Sequence, residues 1–547
     1  MFTVKIKDKV YELENKASIL SLIPKKDRKK YFAAKVNNRL RELTYEVGFN
    51  CEVELLDLQN SDAAKVYETS LRYLISMAIN RLHPDYNIRL SYNVSRSIFI
   101  ELLNKDQRFD TRFVNELTNE MHKIVEADYP MIRKLLTKEE ATEIYNEQFA
   151  YDKIEILKYR PEKIVHMYEC NGYLNYMFGY MVPSTGYLKQ YVLKHYNPGI
   201  IVQYPRAELD GKVPEFEEAS MHGKTLNLAR KWAQICDADT VYKMNDHVKE
   251  ETTVDFINMC ESRHNAMLCE LGNEIQKDIS NIRLIAIAGP SSSGKTTFSN
   301  RLRIELMSRG IHPVRISIDD YYLPKSLAPK DENGEPDLEH IEALDIELFN
   351  NHMLALIQGD EITLPVFNFK TGKREEGEKC RISANTPIII EGIHALNDRL
   401  TSSIPKHQKY KIYIAPQVQI NLDNQNPISL TDIRLLRRIV RDKKYRNTTA
   451  ERTMEMWPSV RRGEFKWIYP HQEGANFVFN SELTYELCVM KKYALPALQE
   501  IPDDHAHAIT ANRLIKFLKY FKDIDDKWVP CNSLLREFIG GSCFHDV

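Results

Sequence analysis

A chain of 547 residues is too long for one compact core, and about three or four domains are expected. Its 43% hydrophobic and 28% charged residues fit folded protein, and a net charge of −2 excludes a global polycation. Any nucleic-acid contact must therefore come from a local patch. Nine cysteines with no Cys-x-x-Cys pair argue against a zinc ribbon and a disulfide framework, so reduced thiols are the expectation. The opening Met1–Lys7 has polar residues breaking every apolar run, unlike a signal peptide. No stretch approaches the roughly 20 apolar residues of a membrane span. A cytoplasmic protein with no membrane contact is the expectation.

Residues 1–60 read as a small β-rich module. Phe2–Ile6 and Cys51–Leu56 alternate with period two, as half-buried strands do. Between them lie the basic run Lys25–Lys30 and a turn at Asn37-Asn38. Such a run is more often a solvated face than a nucleic-acid site. Residues 61–240 form a second region. Leu71, Leu74, Ile75, Ala78, Ile79 and Leu82 recur at helical spacing and stop before His83-Pro84. Further helices are expected at Thr111–Ala127 and Lys138–Tyr145, and a turn at Pro183–Gly186. Residues 241–280 read as a helical linker. From 281 to 490, short apolar strands alternate with helices, the α/β pattern. Residues 491–547 form a tail that includes a predicted helix over Leu514–Phe521.

The strongest signal is the apolar run Leu284–Ala288 followed by Gly289-Pro290-Ser291-Ser292-Ser293-Gly294-Lys295-Thr296, a full G-x-x-x-x-G-K-[ST] match. A helix follows, with Phe298, Leu302 and Leu306 on one face and Gly310 as its stop. Glycines let backbone N–H groups turn inward around phosphate oxygens, and the helix N-terminus adds partial positive charge. The loop residues, with Thr297, are the candidate ATP site. Lys295 would reach the β- and γ-phosphates, and Thr296 would ligate Mg²⁺.

The second strand, Val314–Ile318, runs into Asp319-Asp320. A carboxylate at the C-terminal end of a strand beside the phosphate-loop strand would face the γ-phosphate and accept the proton of an acceptor hydroxyl. Asp319 is the first choice and Asp320 the second. A third strand, Pro387–Ile390, ends in Glu391, which would hold Mg²⁺ directly or through water. Arg434, Arg437, Arg438 and Arg441 share one helical face, with Arg446 beyond, and read as a lid that clamps transferring phosphoryl charge.

These residues resemble the uridine kinase/phosphoribulokinase-like kinases over about 281–490. The matching pieces are the phosphate loop, Ser317–Tyr322, Leu338–Asp345, Leu364 through Arg374, Glu391-Gly392-Ile393 and Arg437–Asp442. The resemblance implies an α/β phosphate-loop domain with a mostly parallel sheet flanked by helices. It implies ATP, Mg²⁺ and transfer to the 5′-hydroxyl of a nucleoside. Asp319 resembles the family's base, Tyr322 a nucleoside-contacting aromatic, Glu339 the aspartate that holds the ribose, and Arg374 a further substrate-side residue. Arg438, Arg441 and Arg446 resemble the lid arginines. Three positions depart from the family: Gly372 stands for a base-contacting histidine, Phe367 for a tyrosine, and Thr448 for another lid arginine. Loss of a hydrogen-bonding group from a base pocket alters specificity strongly, so a purine nucleoside or another sugar alcohol stays open.

Residues 1–60 resemble the β-grasp TGS module, and 61–240 the α+β editing domain, of threonyl-tRNA synthetases. The likeness rests on Val36–Leu43, Cys51–Leu56 and Gly179–Gly186. Tyr73, Met77, Met177 and Met181 stand where that family carries two histidines, a cysteine and a histidine. A thioether or a neutral phenol replaces neither imidazole nor thiolate. No aminoacyl hydrolysis and no metal are expected there. A nucleotide-gated RNA- or ribosome-binding protein is the alternative to the kinase, and RNA contact and homo-oligomers are open partners.

Overall fold

The computed structural model describes residues 1–104, 107–331, 334–368, 371–383 and 385–545. The first module is a mixed five-stranded sheet of β1 (Phe2–Ile6), β2 (Lys9–Leu13), β3 (Ala33–Val36), β4 (Arg39–Arg41) and β5 (Cys51–Leu56), ordered β2-β1-β5-β3-β4. The alternation is kept in β1 and through the first half of β5: Val4, Ile6, Cys51 and Val53 are buried, with Lys5 and Glu52 exposed between them, whereas at the end of β5 Leu55 is half-buried and Leu56 buried.

Helix α1 (Ser61–Leu82) is capped by the Asn60 side chain, which accepts from Asp62 N and Ala63 N. It is buried on almost every side, packed against the helix Thr111–Ala127 and β3 of the first module and touching both sheets of the second region. One is four-stranded, from β6 (Ile88–Asn93), β7 (Ser97–Leu102), β11 (Val192–Tyr196) and β12 (Gly199–Gln203). The other is three-stranded, from β8 (Ile132–Thr137), β9 (Ile164–Cys170) and β10 (Tyr173–Tyr176). Helix α2 (Thr111–Ala127) starts on Asp110, whose carboxylate accepts from Phe113 N. Tyr73, Met77, Met177 and Met181 all lie in the buried core here. The Tyr73 hydroxyl is within hydrogen-bond reach of two carbonyls, Tyr168 O (3.0 Å) and Tyr173 O (2.6 Å). These four side chains act as packing.

Beyond α3 (Ser220–Ile235) and α4 (Thr253–Lys277), whose buried face joins the core of the strands that follow, comes the α/β unit. Its strands are β13 (Leu284–Ala288), β14 (Val314–Ser317), β17 (Ile388–Glu391), β18 (Lys409–Ala415) and β21 (Phe477–Asn480). They pair in parallel in the order β14-β17-β13-β18-β21, so the expectation that β14 lies beside the phosphate-loop strand is corrected: β17 pairs between them. β13 is wholly buried at the centre, which explains an uninterrupted apolar run where a one-sided strand would alternate. α5 (Lys295–Met307) follows it and turns Phe298, Leu302 and Leu306 into the core, all three fully buried. α6 (Ile346–Gln358) and the hairpin β15 (Ile362–Asn368) with β16 (Lys373–Cys380) cover the far edge.

A short hairpin, β19 (Asn421–Asp423) and β20 (Asn426–Pro427), leaves this sheet and enters the second region. Asn426 Oδ1 accepts from Phe178 N (2.8 Å), Gln425 O accepts from Arg72 Nη1 (2.7 Å), and Asn421 Nδ2 donates to Leu90 O (2.7 Å). The chain then forms α7 (Leu430–Tyr445), α8 (Ala450–Gly463), α9 (Glu486–Gln499), α10 (Ala508–Leu518) and the single-turn α11 (Arg536–Ile539).

Candidate functional site: the phosphate loop and its acids

The loop between β13 and α5 is shaped by close approach. A Cβ on Gly289 would lie 1.9 Å from Ile414 O of the neighbouring strand, so only glycine fits. Ser292 (φ 59°) and Gly294 (φ 88°) take left-handed backbone, which turns successive N–H groups into one concave nest. Lys295 Nζ donates to Gly289 O (3.1 Å) and Pro290 O (3.3 Å), closing the loop on itself. Ser292 Oγ, Ser293 Oγ and Thr297 Oγ1 are buried without hydrogen-bond partners. Orphaned hydroxyls beside a helix N-terminus form the lining that an anionic, phosphate-bearing ligand satisfies.

Two acids face the lysine. β14 ends at Ser317, one residue short of the expected strand, and the chain tightens into a 3₁₀ turn over Ile318–Tyr321. That turn separates the neighbouring aspartates. Asp320 Oδ1 accepts from Phe367 N (3.2 Å) and so anchors the β15 hairpin. Asp319 faces the loop instead. Burial raises its carboxyl above the usual carboxylate range, opposed by Lys295, Arg446 and Arg441. Glu391, at the end of β17, is pushed up to about 7 by burial and by the Asp319 charge, with Lys295 and Arg315 opposing. Burial in turn holds Lys295 below its ordinary value. The carboxylates of Asp319 and Glu391 offer hard oxygen donors of the kind a divalent cation takes, and the lysine and arginines around them offset their charge. Among the described residues no group of three or more His, Cys, Asp or Glu side chains forms a protein-only metal cage. A metal ion held in part by ligand phosphates would need none.

The arginine stripe divides. Arg434 and Arg437 are buried in ion pairs with Glu464 and Glu486. Arg434 Nε donates to Ser291 O (3.2 Å), and Arg437 donates to Ser292 O (3.4 Å) and Ser481 O (2.7 Å). Reading all four α7 arginines as one lid is therefore corrected: these two brace the loop from behind, because a buried guanidinium must pair where it lies. Arg438 Nη1 reaches the loop's open side, donating to Ser291 Oγ (2.8 Å). Arg438, Arg441 and Arg446 gather on the buried Asp442 carboxylate at 3.3, 2.8 and 3.7 Å. Thr448 N donates to Asp442 O (3.1 Å), so Thr448 helps end α7.

On the acceptor side, Glu339 lies beneath the end of α8, where a Cβ on Gly463 would come within 2.5 Å of Glu339 Cβ. Burial pushes Glu339 up to about 7, with Arg438 and Lys295 opposing. The Tyr322 hydroxyl donates to Leu338 O (3.0 Å) and its ring faces Phe367 at 5.6 Å. Arg374 pairs with Asp345 (2.8 Å) at the edge of the hairpin. Gly372 has φ 66°, and the Lys325 side chain fills the space that a side chain at 372 would need. Sequence reasoning missed Glu537. Its carboxylate accepts from Thr297 N (3.0 Å) across a separation of 240 residues, which no local pattern signals.

A five-stranded parallel sheet whose central strand runs into a glycine-rich anion loop, with acids closing two neighbouring strands, defines a phosphate-loop nucleotide-binding protein. The Phosphoribulokinase / Uridine kinase family model matches residues 284–487. The chain is 32% identical over 200 residues to a uridine kinase of Borrelia duttonii, a stretch covering 36% of this chain and 85% of that protein. It is 30% identical over 179 residues to a uridine kinase of Bacillus pumilus, covering 33% of this chain and 76% of that protein. The chain belongs to the phosphoribulokinase/uridine kinase family, and its α/β unit is a kinase domain. Its N-terminal region is similar to threonine–tRNA ligases: 27% identity over 194 residues with that of Syntrophomonas wolfei. That match covers 35% of this chain, which spans only 30% of the ligase's length. Among the described residues no helix is long and apolar enough to cross a membrane.

Proposed function

We propose that this kinase transfers the γ-phosphoryl group of ATP to the 5′-hydroxyl of a nucleoside. The observation that carries the reading is the Asp319 carboxylate, set opposite Lys295 and the arginines Arg441 and Arg446 in one desolvated cleft. Its raised affinity for protons suits a base that takes the acceptor hydroxyl's proton as the P–O bond forms. Gly289, Ser291–Gly294 and Thr297 cradle the triphosphate, and Lys295 spans its β- and γ-phosphates. Arg438, Arg441 and Arg446 neutralise charge developing on the transferring group. Thr296 and Glu391 would hold Mg²⁺, which when bound supplies further charge neutralisation. Tyr322, Glu339 and Arg374 would position the acceptor. The altered base pocket at Phe367 and Gly372 favours no single nucleobase.

A phosphoryl-transfer screen with ATP against pyrimidine and purine nucleosides tests this reading. Lys295→Ala loses nucleotide binding. Asp319→Asn retains ATP binding and loses at least about a hundredfold in turnover. Full turnover in the Asp319 variant would remove it as the base.

A second role, RNA contact, is favoured by exposed Lys25 and Lys26 on a module physically tied to the kinase tail. Arg39 pairs with Asp503 (2.8 Å), and Asn38 Nδ2 donates to His505 O (2.7 Å). tRNA binding by the full chain should weaken as salt rises; no binding at low salt removes this role.

A further inference from the structure

The C-terminal segment 533–540 is a wall of the phosphate loop. Leu534, Leu535, Phe538 and Ile539 are all buried. Leu534 fills the space over Gly294: a Cβ there would lie 2.2 Å from Leu534 Cδ2. The Phe538 ring lies against the Arg437 guanidinium, 5.1 Å from ring centre to Cζ. Arg536 ties the segment's ends, donating to Asp526 O (2.7 Å) and Gly540 O (3.1 Å), and Lys444 Nζ donates to Ile539 O. Ser533 Oγ lies 3.4 Å from the Tyr485 hydroxyl. The segment is thus held from both ends and from beneath.

Glu537 is the one acid in this segment, and it is half-buried. Its Oε2 accepts from Thr297 N (3.0 Å), an amide in the first turn of α5. Its charge also favours the protonated form of Lys295. In a phosphate loop the backbone amides at the helix start cradle the α- and β-phosphates. A carboxylate on such an amide occupies a phosphate donor with a like-charged group.

We propose that Glu537 is an affinity-setting residue of the nucleotide site: an internal anion on the Thr297 amide that a nucleotide's phosphate must displace. The inference rests on the proposed nucleotide reading of the loop. The anchored wall stays in place on binding, while the half-buried Glu537 side chain swings toward solvent and releases the amide. Glu537 therefore weakens the binding of phosphate-bearing ligands and leaves a phosphate-free nucleoside unaffected.

The test is equilibrium binding of ATP, ADP and adenosine to the full-length protein and to Glu537→Gln and Glu537→Ala. Glutamine keeps the shape and loses the charge, and alanine frees the amide. Breaking a charge-assisted hydrogen bond opposes binding by an amount worth roughly ten- to hundredfold in affinity. Both variants should bind ATP and ADP at least about fivefold more tightly, with adenosine affinity unchanged. Unchanged or weaker ATP and ADP binding in both variants would overturn the inference, as would equal tightening for adenosine. If the wild-type protein and both variants bind no nucleotide at all, the nucleotide reading itself fails. Thermal melting of each variant without ligand separates a folding defect from a binding effect.

Discussion

Adjacent aspartates acquire different work because a single 3₁₀ turn points them apart. Asp320 holds a hairpin amide, while Asp319 faces a lysine and two arginines. The two were legible as a pair at the end of a strand, with Asp319 the first choice. Their division of labour depended on where Phe367 N lies, 47 residues away. Glu339 offers a pH test. Its folded value of about 7 lies above the ordinary carboxylate range because burial disfavours the charge. In the proposed acceptor site the ionised carboxylate would accept hydrogen bonds from acceptor hydroxyls, and the protonated form would lose much of that capacity. The acceptor KM should therefore fall as pH rises through about 7, by roughly tenfold per pH unit on the acid limb. Glu339→Gln should flatten the profile. A wild-type KM that is constant between pH 6 and 8 would show that this carboxylate does not hold the acceptor.

At the level of single elements, α7 does two jobs with one sequence. Arg438 reaches the loop's open side, while Arg434 and Arg437 pair with Glu464 and Glu486 as supports behind it. Periodicity identified the helix and the shared face, but a 100° arc of arginines cannot be partitioned without knowing that Glu464 and Glu486 approach it. Removing Arg437 alone leaves Glu486 buried without its ion-pair partner. Arg437→Met should cost about 3–5 kcal/mol of stability and weaken nucleotide binding, since Ser292 O and Ser481 O lose a donor. The double variant Arg437→Met/Glu486→Leu should regain most of the stability but not the nucleotide affinity. Melting temperature and ATP titration read the two effects separately. A double variant as unstable as the single one would refute the ion-pair account.

Across the whole molecule, the hairpin 421–427 joins kinase to N-terminal region with buried polar contacts. Asp423 is fully buried, pairs with Lys153 (3.3 Å), and accepts from Asn426 Nδ2 and Gln425 N. Arg89 and Asp239 form a second buried pair (2.6 Å) nearby. The hairpin runs directly into α7, so the two regions share a continuous element that bears on the phosphate loop. Asp423→Ala strands a buried lysine and should lower stability by about 3–5 kcal/mol. Calorimetry should show one shifted transition covering both regions. Two separated transitions in the wild-type protein would mean that the hairpin does not couple them.

Sequence alone determined the local and the periodic. The glycine pattern, the buried central strand, the helix beyond it and the acids closing the next strands follow from backbone sterics and hydrophobic spacing, which act within a few residues. That Tyr73, Met77, Met177 and Met181 offer neither imidazole nor thiolate was equally readable, since side-chain chemistry needs no coordinates. Tertiary structure decided which charges meet: Arg437 with Glu486, Lys153 with Asp423, and Glu537 with the Thr297 amide. Such pairings join residues tens to hundreds of positions apart. They are fixed by how the layers pack, a global property that no local window of sequence encodes.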